Sequence, residues 1–95
     1  MHYRITKVNH GQGKRDDIIA YLKTKNEDIN SIEGLQSVRM IAISETESIA
    51  ISKYENEQQL TMAEEKFKEI MVGMMPFMTA PPEVNNGDEC WSVEK

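Results

Sequence analysis

The sequence predicts one α+β domain with the element order strand, helix, strand, strand, helix, strand, and three observations carry that expectation. In residues 38–54 two apolar runs, VRMIAIS and IAISKY, flank a short polar turn, the pattern of a β-hairpin. On either side of it lies a stretch with apolar residues at helical spacing, from Ile18 to Ile29 and from Leu60 to Met74. Both ends of the chain carry short segments mixing β-branched and aromatic residues, which favour strands.

The first strand is HYRITKVN, closed by Gly11 and Gly13. A helix over residues 14–30 follows, with Ile18, Leu22 and Ile29 on its apolar stripe and Tyr21 beside it. Asp16 and Asp17 sit in its first turn, where the helix dipole favours negative charge. Lys25 fills a gap in that stripe, its stem suited to the apolar face and its ammonium to water. Gly34 suits the left-handed turn that returns the chain to the sheet.

With Glu45, Thr46 and Glu47 as the hairpin loop, Ile43 faces Ile49 and Ile41 faces Ile51. Ala42/Ala50, Met40/Ser52 and Val38/Tyr54 then share the reverse face. Neither face is polar. The isoleucine face is assigned to the helices, and the face of Val38, Met40, Ala42 and Tyr54 to a partner sheet. Asn56, with Gln59 three residues on, caps the second helix, which Pro76 should break and Pro81-Pro82 should end. Asn85-Asn86-Gly87-Asp88 reads as a turn, and residues 89–93 (ECWSV) as the last strand.

This order is the ferredoxin-like βαββαβ arrangement, a four-stranded antiparallel sheet with two helices on one face. Its second face stays open. Because the chain has no spare element to cover an apolar second face, a second copy in a closed two-fold dimer is the expected partner. At 95 residues there is room for one domain, spanning 1–95, and one modest core. The net charge of −5, with no basic run, disfavours nucleic acid, and no segment has the apolar length of a membrane span. The lone Cys90 cannot form an internal disulfide, so the default compartment is the cytoplasm.

The spacing also resembles the antibiotic biosynthesis monooxygenase-like family of dimeric α+β barrels. The similarity runs from Lys7-Val8 through Gly11 and Gly13 to Lys14, Asp16, Asp17 and Ile18. It continues at Ile32-Glu33-Gly34-Leu35, then from Tyr54-Glu55-Asn56-Glu57 through Leu60. The resemblance implies a homodimer with facing sheets, a small pocket between sheet and helices in each protomer, and cofactor-free oxygenation of an aromatic or quinone-like compound. The alternative is a non-catalytic homodimer that binds a small molecule or serves a structural role, supported by the absence of any fixed acid, base, nucleophile or metal set in the sequence. Haem degradation, known in one branch, relies on a histidine in the second half of the chain with a tryptophan near it. Here the histidines are His2 and His10 and the tryptophan is Trp91, so that activity is not implied.

Several residues invite chemistry. His10, beside Asn9 at the end of the first strand, reads either as an acid–base group at a pocket mouth or as a solvated loop histidine. Gly11-Gln12-Gly13 fails as a dinucleotide fingerprint, because the third glycine position is Asp16, whose charge repels phosphate. Two histidines and one cysteine, without a C-x-x-C or H-x-x-x-H spacing, do not make a metal site. Met71 and Met74, crowded with Met75 and Met78 around Phe77, suit the wall of an apolar pocket or ordinary core packing. Tyr54, Met40 and Trp91 are further candidates for that pocket or for a dimer interface, with Tyr54 the second polar group able to ease proton removal.

Overall fold

In the computed structural model, which describes Met1–Lys95, alternation along the first strand sets the architecture. Strand β1 (His2–Asn9) buries its even residues and leaves the odd ones more open. It lies between β3 (Glu47–Tyr54) and β4 (Glu83–Asp88), and β2 (Leu35–Ala42) pairs with the far side of β3. The sheet order is β2-β3-β1-β4 and every pairing is antiparallel. This is the expected ferredoxin-like α+β fold, with both helical arms on one face.

Each arm is broken once. The first comprises α1 (Arg15–Lys23) and α2 (Asn26–Asn30), not one helix over 14–30. At the break the Thr24 hydroxyl donates to the Tyr21 carbonyl at 2.6 Å, a local bond that competes with the helical ladder. The second comprises α3 (Glu57–Met62) and α4 (Glu64–Met74), which meet at Ala63. Asn56 caps α3 as expected, its side chain accepting from the Gln59 amide at 2.9 Å. Pro76 turns the chain into a 3₁₀ helix, Met75–Phe77. Gly34 has φ +83°, the left-handed conformation expected of it.

Three further expectations are corrected. The hairpin pairs Ile41 with Ile49, Met40 with Ala50 and Val38 with Ser52, a register two residues away from the one expected. Its loop, residues 43–46, closes through Ile43 and Ser44 amides donating to the Glu47 carbonyl. Arg15 fixes that loop from α1 by donating to the Ser44 and Glu47 carbonyls. A shift of two preserves which residues share a face.

The faces, however, are exchanged. Tyr54 is buried against Leu60 and Ala63, and Met40 packs onto the cluster of Val8, Ile18 and Met74 under the helices. Ile41, Ile43 and, on β1, Ile5 stand 43–52% exposed on the open side. The cause lies in β1. Arg4 in β1 and His10 just beyond it, in the same alternation, find their hydrogen-bond partners on the helix side of the sheet, while Ala42, Ser48, Ala50 and Ser52 leave depth there for Met71 and Met74.

The last strand is β4, Glu83–Asp88, so the expected turn at Asn85-Asn86-Gly87-Asp88 is strand and residues 89–93 are not. Side chains override propensity here: Asp88 and Asn86 bond the buried His2, and Lys7 reaches Glu83 at 3.4 Å. Cys90, read as a strand residue, is exposed beyond β4.

Candidate functional site

The helix-facing side of β1, continued by His10 just beyond it, reads His2, Arg4, Thr6, Val8, His10, so larger polar groups occupy both ends with Thr6 and Val8 in the middle. Over that middle lies a cavity of about 80 Å³ between the sheet and the helices, walled by Met40, Tyr54, Phe67, Met71 and Met74, with hydroxyls from Thr6 and Ser52. Four residues singled out from the sequence, Met40, Tyr54, Met71 and Met74, therefore meet in one wall. The cavity adjoins a groove of about 410 Å³ between the first helical arm and edge strand β2. Leu22, Ile29, Leu35, Val38 and Met40 line both spaces.

Tyr54 ends β3 and is 2% exposed. Its hydroxyl accepts from Arg4 Nη1 at 3.0 Å and donates to no protein group, so its hydrogen remains free. Burial raises the Tyr54 pKa above the usual phenol value, with the Arg4 charge opposing. At neutral pH the group is a phenol, able to donate a hydrogen bond.

Arg4 is the residue that sequence reasoning missed. An arginine in a strand with polar neighbours reads as a surface residue, yet Arg4 is 1% exposed. Its guanidinium donates to Glu64 Oε2 at 2.6 Å and the Leu60 carbonyl at 3.4 Å, and lies 3.9 Å from the centre of the Phe67 ring. The available signal was its even position in a strand whose other even members include Thr6 and Val8.

His10 is neither at the cavity nor in solvent. It is 1% exposed, with Nδ1 positioned to donate to the Gly11 carbonyl and Nε2 to accept from the Ser48 hydroxyl, each at 3.0 Å. Ser48 in turn accepts from Arg15 Nε at 2.8 Å. This network ties β1, β3 and α1 together, and both ring nitrogens are occupied. Asn9, on the opposite face of β1, does not line the cavity, and its carbonyl accepts from the Thr79 amide. Trp91, 78% exposed in the terminal segment, is also apart from the cavity.

At the other end, His2 is 3% exposed, with Nδ1 2.6 Å from Asp88 Oδ1 and Nε2 2.9 Å from Asn86 Oδ1. Both partners accept, so the imidazolium satisfies them together. Its pKa is raised by the hydrogen bond to Asp88, with Asn86 adding to the effect. Potential ligand atoms of His2, Glu57 and Asp88 lie within 4.8 Å of one another. The same hydrogen bonds that favour protonated His2 make it a poor metal ligand.

No family model matches the chain, and no curated protein matches it. Solved structures do. A variant of SnoaB, a cofactor-independent oxygenase from Streptomyces nogalater, superimposes with a TM-score of 0.82 at 8% identity, over 99% of this chain and 97% of that one. The monooxygenase ActVA-Orf6 of Streptomyces coelicolor, in complex with nanaomycin D, gives 0.80 at 15% identity, over 99% and 91%. Rv0793 from Mycobacterium tuberculosis gives 0.77 at 12% identity, over 98% of each. The chain has the fold of antibiotic biosynthesis monooxygenase-like proteins along nearly its whole length.

Proposed function

We propose that the protein is a cofactor-independent oxygenase of the antibiotic biosynthesis monooxygenase type, acting on a small aromatic or quinone-like compound held between the cavity beneath its helices and the groove that adjoins it. The observation that carries this reading is the apolar cavity with the buried Tyr54 phenol in its wall, in a fold shared with SnoaB and ActVA-Orf6. With Arg4 occupying the acceptor side of the hydroxyl, Tyr54 presents its hydrogen to a substrate oxygen. Such a bond strengthens as negative charge develops there, in a setting from which water is largely excluded. Ile5, Ile41, Ile43, Ile49 and Ile51 on the open sheet face are proposed to meet the same face of a second copy.

Oxygen consumption with a panel of quinols and dihydroxyaromatics tests the reading. The expected result is turnover that survives metal chelation and falls roughly a hundredfold to a thousandfold in Tyr54→Phe, the usual scale for one hydrogen-bond donor to a developing oxyanion. Turnover abolished by chelation, or unchanged in Tyr54→Phe, contradicts it.

A second reading has one specific observation behind it. Tyr54 is the sole titratable side chain in the cavity wall, because His10 is engaged elsewhere, and no base stands beside a bound ligand. Binding without turnover is the alternative that follows. A panel that yields no oxygen uptake, together with thermal stabilisation by one of its members, favours that binder.

A further inference from the structure

The groove beside edge strand β2 differs in charge from the rest of the molecule. The chain carries 16 acidic and 11 basic residues, yet no carboxylate lines this groove and Lys23 is its one charged side chain. Lys23 is not held by a carboxylate, a property it shares with Lys25, Lys53, Lys68 and Lys95, but it alone among these lines the groove. Asn26 and Asn30, both exposed and one helical turn apart on α2, line the same groove.

Size adds a second constraint. The inner cavity, at about 80 Å³, is smaller than the ~150 Å³ that accommodates benzene in an engineered apolar cavity. A fused-ring compound cannot lie wholly within it. The adjoining groove supplies the missing length, and Val38, on the helix side of β2 yet 44% exposed, marks the passage between them.

Resting on the oxygenase or binder reading of the cavity, we infer that the ligand is an amphipathic aromatic anion. Its apolar end passes Val38 and Met40 toward Tyr54, and its carboxylate or equivalent acid group stays at the rim against Lys23 and the Asn26 and Asn30 amides. The charge at the rim selects among aromatics of similar shape. The cavity sets only their hydrophobic end.

Calorimetric titration of the whole chain with 2-naphthoate, 2-naphthamide and 2-naphthylmethylammonium, at low ionic strength, tests the inference. Naphthoate is expected to bind most tightly, by about threefold over the amide, as befits one exposed charge. That advantage should vanish in Lys23→Gln and at about 0.5 M salt, where screening removes exposed charge pairs. Lys23→Glu should reverse the order in favour of the ammonium compound. Because Lys23 is exposed, neither variant disturbs the core. Equal binding of naphthoate and naphthamide, or an advantage that persists in Lys23→Gln, overturns the anion selectivity while leaving the cavity reading intact. Binding by none of the three, or binding unaltered by Val38→Trp in the passage, overturns both.

Discussion

His2 illustrates how a single buried group makes stability depend on pH. Hydrogen bonds to Asp88 and Asn86 raise its folded pKa above the reference 6.5. The contribution to stability is therefore complete below pH 6.5 and is lost as pH rises through the folded value. Urea unfolding should show a higher midpoint at pH 5.5 than at pH 8.5, with a smaller difference in Asp88→Asn; an equal difference in that variant contradicts the assignment. At this scale the sequence was partly legible. Met40, Tyr54, Met71 and Met74 stood out by residue type, but pocket wall, core packing and dimer interface use the same aromatic and thioether side chains, and the cavity they share appears only once the strand faces are fixed. Arg4 and His10 were not, because the partners that make their burial tolerable come from residues 38 to 60 positions away in the chain.

Where helices α1 and α4 meet, the contact has almost no slack. The Tyr21 hydroxyl donates to the Ile70 carbonyl at 2.9 Å, and a Cβ added at Gly73 would lie 1.9 Å from the Tyr21 hydroxyl oxygen. In Gly73→Ala the gain in helix propensity, about 1 kcal/mol, competes with an overpacking cost of about 1–3 kcal/mol. Net destabilisation is expected by chemical denaturation, and less of it in a Tyr21→Ala background; equal effects in both backgrounds would show that the contact does not limit the packing. Element order was readable from Gly34, Asn56 and Pro76, each of which acts within a few residues of itself. Register and β4 were not, since both depend on side chains from distant elements, Arg15 for the hairpin loop and His2 for the edge strand.

Across the whole molecule, the exchange of hairpin faces moves the expected interface onto the isoleucines. Both faces of residues 38–54 carry apolar side chains, so hydrophobic pattern alone could not decide between them; the buried polar groups of β1 did. In Ile51→Asp, a proposed dimer should dissociate at micromolar concentration in light scattering, whereas Ser44→Asp at the hairpin tip should leave it intact. An unchanged mass for Ile51→Asp would remove the isoleucine face from the interface. The separation of α2 from α1 reaches further still. This short helix buries none of its five residues, and its exposed Asn26 and Asn30 line the groove together with the exposed Lys23 at the end of α1. Exposed substitutions of this kind usually change stability by no more than about 0.5 kcal/mol. The part of the chain that would discriminate among ligands is thus the part whose alteration least endangers folding, and ligand preference can diverge among descendants of this sequence while the sheet beneath it stays the same.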